Sequence, residues 1–199
     1  MDHKTFFNNL ADDWDHMPQP DQEKLTHIVS QLQIHPGQTV LDIGTGTGIM
    51  LPFLRGKIGS AGTLIAVDIA EKMIAKASKK FPKLAQFQIA DVTALPFQSK
   101  TFDKIVCYSA FPHFPEKIIA LKEMARVLKD DGAIFIAHSE GREHINHFHH
   151  SLKSFVAKDH LPADNEMRRL GESVGLQASF IENNQEYYIL RFNKIPLHL

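Results

Sequence analysis

Three aspartates stand at the carboxyl ends of three short strand-like stretches: Asp42 in the apolar run 39–43, Asp68 after the apolar run 63–67, and Asp91 after 86–90, where Phe87 and Ile89 alternate with glutamine. The first two read as buried strands and the third as an alternating one, so the three carboxylates face one crevice at the carboxyl edge of a sheet. The first strand breaks into Gly44-Thr45-Gly46-Thr47-Gly48, where glycine at alternate positions lets the main chain approach a ligand that a Cβ would push away. A dinucleotide loop wants glycine in the sixth place of Gly-x-Gly-x-x-Gly, but Ile49 stands there. Asp42, two residues before the first glycine, would also repel a pyrophosphate. The pattern therefore points to a cofactor carrying positive charge, with a nicotinamide-dependent oxidoreductase as the disfavoured alternative.

The second set of reactive groups is imidazole, with twelve histidines in 199 residues and many of them between His138 and His160. His113 lies in Ser109-Ala110-Phe111-Pro112-His113-Phe114, directly after the fourth apolar run, and His138 ends the fifth. On a helix starting near Arg142, steps of three and four put Asn146 and His149 on one polar face, with Ile145, Phe148, Leu152 and Phe155 as the core stripe. His113, His138 and His149 are thus candidates to line an acceptor or, as a second alternative, to hold a divalent metal.

The elements that position these groups alternate. Two N-terminal helices, carrying Phe6, Phe7 and Trp14 on the first, separate near Pro18 and Pro20. Strands follow at 39–43, 63–67, 86–90, 102–108 and 133–138, with helices after Pro52, over 71–81 and after Pro115, and Asp130-Asp131-Gly132 as a turn. Helices over 142–156 and 164–174, the latter capped by Gly175, and a hairpin over 176–181 and 186–192 complete the chain. The rhythm predicts a Rossmann-like α/β fold: a doubly wound, seven-stranded, mostly parallel sheet ending in an antiparallel hairpin.

Composition narrows the classes. A hydrophobic share of 43% suits one buried domain, and a net charge of −1 gives no pull toward nucleic acid. The stripe of Lys72, Lys76, Lys79 and Lys80 reads as a solvated helix face. No apolar run reaches membrane-spanning length, and the first residues lack a signal-peptide core, so a cytoplasmic protein is expected. The one cysteine, Cys107, forms no internal disulfide and reads as core.

Several spaced motifs together resemble the class I S-adenosylmethionine-dependent methyltransferases, particularly the small-molecule enzymes of ubiquinone and menaquinone biosynthesis. They run from Val40-Leu41-Asp42-Ile43-Gly44-Thr45-Gly46-Thr47-Gly48 through Ala66-Val67-Asp68-Ile69 with Met73. Ala90-Asp91-Val92, Leu95-Pro96-Phe97, Thr101-Phe102-Asp103 and 123–129 with Gly132 continue the series, which covers about residues 38 to 138. The resemblance implies that S-adenosyl-L-methionine is the cofactor. It also implies that Gly44, Thr45, Gly46 and Gly48 form its loop and that Asp42 orders this loop and the amino group. Asp68 would accept the ribose hydroxyls, Ile69 and Met73 would pack on adenine, and Asp91 with the Val92 N–H would read the base. Ser109 would lie beside the methionine moiety. The expected activity is methyl transfer to a small molecule, or, as an alternative, cofactor sensing without turnover. Loop 109–114 lacks the Asn-Pro-Pro-Tyr type motif of amide and nucleobase N-methyltransferases. The expected layout is one domain: a helical lid at 1–35, with Trp14 and Asp15 closing over the acceptor, a cofactor-binding core at 38–138, and acceptor-side helices with the closing hairpin at 139–199.

Overall fold

The computed structural model describes residues 1–196. Strands β1 (Thr39–Ile43), β2 (Thr63–Asp68), β3 (Gln86–Ile89), β4 (Phe102–Tyr108), β5 (Leu128–His138), β6 (Leu176–Asn183) and β7 (Tyr188–Lys194) form one sheet in the order β3-β2-β1-β4-β5-β7-β6. The first five pair in parallel, and β7 inserts antiparallel between β5 and β6. Strand order reverses between β1 and β4, which opens the crevice that such sheets use for ligands.

Helices α1 (His3–Leu10), α2 (Gln22–Gln31), α3 (Leu51–Ile58), α4 (Glu71–Lys80), α5 (Lys117–Val127), α6 (Arg142–Ser151) and α7 (Asp164–Glu172) surround the sheet. Because both sheet faces are covered, the central strands are apolar on both sides, and two separate cores result. One joins Leu41, Ile43 and Ile105 to Leu121 and Met124 of α5; the other joins Val40, Val106 and Phe135 to Ile28 of α2 and Leu54 of α3. Pro52 occupies the first turn of α3, where its missing N–H costs no hydrogen bond. Gly48, at φ +90°, has no room for a side chain: a Cβ there would come 2.8 Å from Leu51 Cδ1 and 3.0 Å from Phe81 Cδ2.

The structure departs from sequence periodicity at the first helix, where α1 stops at Leu10 and Trp14 falls in a separate 3-10 turn, Trp14–His16, and in three further places. Strand β5 begins at Leu128 rather than 133, because Leu128 pairs with Phe102 before the register jumps to Ala133 opposite Lys104. The expected 130–132 turn survives as the residues that bulge between those two pairs. The hairpin turn is tighter in chemistry than in length: Asn184 Oδ1 accepts the N–H groups of Glu186 and Tyr187, delaying β7 to Tyr188.

The last departure is α6, which ends at Ser151 instead of running to 156, and is followed by a 3-10 turn at Phe155–Lys158. Its inward face is rotated as well. Ile145 and His149 are buried, while Phe148 is 53% exposed and Phe155 is 37% exposed, against the expected core stripe. The cause is polar: Asn146 Nδ2 donates to Leu161 O at 3.0 Å and Asn146 Oδ1 accepts Leu161 N–H at 2.7 Å, while His149 Nδ1 lies 3.0 Å from Asp159 O. These bonds fold segment 159–161 back along the helix and draw the Asn146/His149 face inward.

Candidate cofactor and acceptor pocket

The carboxyl ends of β1, β2 and β4 border a cavity of about 410 Å³. Gly44, Gly46, Asp68, Ile69, Met73 and Asp91 form one wall, with Val92 and Ser109 beside them. Gly44 holds φ +69° under Ala110, and a Cβ at Gly44 would overlap the Ala110 methyl. The loop is pinned from beneath by backbone bonds: Gly44 and Thr45 both donate N–H to Val67 O, at 2.9 and 3.0 Å.

Asp68 lines the pocket while accepting Gly46 N–H through Oδ2 and Ala70 N–H through Oδ1, each at 2.9 Å. Each carboxylate oxygen carries two lone pairs, so capacity for two hydroxyl donors remains. Burial pushes the Asp68 carboxyl above its usual range, against the lowering effect of those N–H groups. Asp91 uses only Oδ1 within the protein, accepting from Thr93 N–H at 2.8 Å and Thr93 Oγ1 at 2.7 Å. Ser109 sits at φ +51°, a left-handed conformation uncommon for a residue with a Cβ, at the point where the chain leaves β4. Carboxylates on an apolar wall of Ile69 and Met73 fit a nucleoside with free hydroxyls and an amino group, and the lysine of the lining, Lys4, is paired with Glu71.

Three of the expected cofactor residues stand outside the lining. Asp42, 1% exposed, lies beneath the loop and accepts Thr45 Oγ1–H at 2.6 Å. Burial pushes its carboxyl to about 7, with Asp68 adding to the rise. Asp42 and Thr45 therefore act through the loop they order, and Gly48 through packing on α3 and Phe81.

The opposite wall comes from the N-terminal segment and the loop after β4. Phe7, Trp14, Ser109, His113 and Phe114 border the cavity, as does His3. Trp14 Nε1 lies 3.7 Å from where a Gly46 Cβ would stand, so the indole covers the glycine loop. Asp15 fastens it there, accepting from Thr47 Oγ1 at 2.6 Å and Lys80 Nζ at 3.1 Å. Of the residues expected in a lid, Trp14, Asp15, Phe6 and Phe7, the structure puts Trp14 and Phe7 on the cavity; Asp15 and Phe6 lie outside the lining, the Phe6 ring 6.1 Å from Phe155.

Of the three expected acceptor histidines, only His113 borders the cavity. The rings of His113 and His149 are 4.9 Å apart, but His149 is 7% exposed and tied to Asp159 O behind it. His138 is 4% exposed, its Nε2 has no hydrogen-bond partner among the described residues, and burial, reinforced by His113 and His149, pushes it to about 3. Its ring is therefore neutral, and the expected placement of His138 and His149 on the acceptor rim gives way to one behind it. Sequence reasoning missed two groups that meet His113: Asp159, whose Oδ2 lies 2.7 Å from His113 Nδ1, and His3, whose Nε2 lies 3.0 Å from that same oxygen. Burial pushes the Asp159 carboxyl up, but the bonds from His113 and His3 outweigh it and hold the group below its usual range.

Residues 41–136 match the family model described as a methyltransferase domain. The chain is 29% identical over 137 residues to the demethylmenaquinone methyltransferase of Staphylococcus epidermidis, covering 65% of this chain and 57% of the relative. The chain thus spans less than two thirds of that relative's length. Among solved structures it is similar to a chain in the complex between the Haloferax volcanii Trm112 methyltransferase activator and its partner protein, with TM-score 0.82, 19% identity, and coverage of 98% and 99% of the two chains. It is also similar to an S-adenosylmethionine-dependent methyltransferase of Aquifex aeolicus, with TM-score 0.74, 20% identity, and coverage of 93% and 97%.

Proposed function

We propose that the chain is a class I S-adenosylmethionine-dependent methyltransferase and that it transfers a methyl group from S-adenosylmethionine to a small-molecule acceptor, releasing S-adenosylhomocysteine; the methyltransferase-domain match over residues 41–136 supports this reading. The observation that carries this reading is that the carboxylate wall and the aromatic, His113-bearing wall border one cavity. Two such walls serve a reaction between two ligands better than the storage of one.

Bound S-adenosylmethionine supplies an activated sulfonium methyl, so the protein's part is to align, to exclude water and to manage a proton. Asp68 would hold the ribose hydroxyls, Asp91 and the Val92 N–H the adenine edge, and Ile69 with Met73 the face of the base. Ser109, Gly44 and Gly46 border the space left for the methionine portion. Phe7, Trp14 and Phe114 cover the other side with apolar rings, and an aromatic face attracts a cation. His113 is the polar group at this end. In the tautomer that donates Nδ1–H to Asp159, a His113 ring without the second proton would keep the lone pair on Nε2, the atom suited to take the acceptor's proton. The near-neutral formal charge and the ion-paired lysine stripe, where Lys76 meets Asp12 and Lys80 meets Asp15, favour a small molecule over nucleic acid.

Calorimetric titration with S-adenosylhomocysteine and with NAD tests the cofactor, and S-adenosylhomocysteine release across quinols, catechols, thiols and amines tests transfer. The expected result is binding of the first ligand only, with turnover on at least one acceptor class. Asp68→Asn should lose cofactor affinity about tenfold or more, since a single amide oxygen then serves both backbone donors and ribose. His113→Ala should spare affinity and lower kcat. Binding of NAD in place of S-adenosylhomocysteine would overturn the reading.

A further inference from the structure

His3, His113 and Asp159 meet at the acceptor end of the pocket from three distant parts of the chain: the first residue of α1, the 3-10 turn Phe111–His113 after β4, and the segment following Phe155–Lys158. Their ligand-type atoms all lie within 4.8 Å of one another, and the side chains are 18%, 14% and 13% exposed. Both imidazoles aim at one oxygen, Asp159 Oδ2, at 3.0 and 2.7 Å. Those spacings approach the edges of a coordination polyhedron with metal–ligand bonds of about 2.0–2.2 Å. Two imidazoles and one carboxylate suit a divalent transition metal, and the arrangement leaves further coordination positions for an outside ligand.

The surroundings hold the donors in place. The Asp159 backbone is fixed on both sides, by its N–H to Val156 O and by His149 Nδ1 at its carbonyl. The His113 turn is clamped by Lys117 Nζ, which donates to Pro112 O and Phe114 O at 3.0 Å each. Phe7 meets the His113 ring edge-on at 5.1 Å, and Phe155 meets His3 at 4.9 Å. An apolar shell with bonded supports behind the donors is what orients metal ligands.

We propose that His3, His113 and Asp159 bind one divalent transition-metal ion, which joins the lid helix α1 to the body and offers its open positions to an oxygen or sulfur of the methyl acceptor. The ion would sit where the two ring protons now point at Asp159 Oδ2. Its role toward the acceptor rests on the methyl-transfer reading; its binding does not. With Nδ1 of His113 on the ion, Nε2 retains hydrogen, so in the metal-loaded site the ion would replace the ring's part as base: as a Lewis acid it lowers the acceptor's pKa, and the acceptor's proton leaves to solvent.

The test uses the full chain, freed of metal with chelator, titrated with Co²⁺ for its visible absorption and with Zn²⁺ by calorimetry. Expected is one site per chain, weakened about tenfold or more in His3→Ala and in Asp159→Asn. A variant combining His144→Ala and His147→Ala, on the exposed face of α6, should bind as the parent does. Addition of Zn²⁺ should slow amide exchange in α1 of the parent and leave it unchanged in His3→Ala. Absence of a site in the parent, or its loss in the α6 variant with retention in Asp159→Asn, would overturn the proposal and leave the cluster a hydrogen-bonded latch. Binding of S-adenosylhomocysteine, measured on the same samples, reports on the methyl-transfer reading separately.

Discussion

Asp42→Asn should stabilise the protein, by an amount that depends on pH in a calculable way. The Asp42 carboxyl is 1% exposed, receives Thr45 Oγ1–H, and is pushed by burial and by Asp68 from 3.8 to about 7. Between these values the folded chain holds a proton that the unfolded chain releases, so the ionisation of Asp42 lowers stability as pH rises through that window. About three pH units correspond to ~4 kcal/mol above pH 7, and only about a third of that has accrued at pH 5. Asn keeps the shape and an acceptor for Thr45 but does not ionise. Its advantage over the parent should therefore shrink by about 2–3 kcal/mol from pH 8 to pH 5, or roughly 5–10 °C in Tm for a domain of this size. Thermal unfolding of both proteins without ligand, at matched ionic strength, measures the difference. Buried histidines titrating with the opposite sign are common to both proteins and cancel. A constant gap between the curves, or an Asn variant less stable than the parent at pH 8, would refute the assignment of a raised, destabilising carboxylate under the glycine loop.

Gly44→Ala should lower both stability and cofactor affinity, since the new methyl overlaps Ala110 and φ +69° is disfavoured for alanine; about 1–3 kcal/mol is expected from unfolding curves. Cys107 is fully buried and its thiol is pushed up by burial, so it should resist iodoacetamide in the native protein and react on unfolding, which mass spectrometry reads directly. The lid should open on its own: α1 has no buried residue and is tied through Lys4 and Asn8 to Glu71, so its amides should exchange well before those of β5, and faster still at 1 M salt.

Legibility in the sequence followed the range of the interaction. The strands β1 and β2 are apolar runs and β3 an alternating one, with turn signals at their ends, so their existence and the common edge shared by Asp42, Asp68 and Asp91 could be read locally. The glycine loop was legible for the same reason, although the split between Gly44 and Gly46 at the cavity and Gly48 in packing needed the neighbours Ala110, Leu51 and Phe81. Helix α6 misled because its apolar periodicity was real but lost to Asn146, whose amide pairs with the Leu161 backbone in both directions. A side-chain hydrogen bond of that kind leaves no period in the sequence. Asp159 and His3 were illegible for a stronger reason: 156 positions separate them, and each alone is an ordinary polar residue. The one available hint was the density of histidine, and of the three members it singled out His113 borders the cavity while His138 and His149 lie behind it.

The two ends of the pocket are built with different rigidity, and the proposed methyl transfer accounts for the difference. The cofactor wall hangs from the central strands, where Gly44 and Thr45 bond Val67 O and Asp68 bonds the loop it faces. Local opening there would cost nearly the whole fold. The acceptor wall depends on α1 and the Trp14–His16 turn, which dock through half-exposed polar ties at Glu71 and Asp15 and a more enclosed one at Asp159. Exposed ion pairs contribute little each, so this wall can leave and return at small cost. A donor that must be held in register while water is kept from its sulfonium needs the first kind of wall, and an acceptor that must enter and a product that must leave need the second. His3 stands where the two requirements meet: it travels with the lid, yet its partner Asp159 belongs to the body, so the polar cluster at the acceptor end is complete only when the pocket is closed.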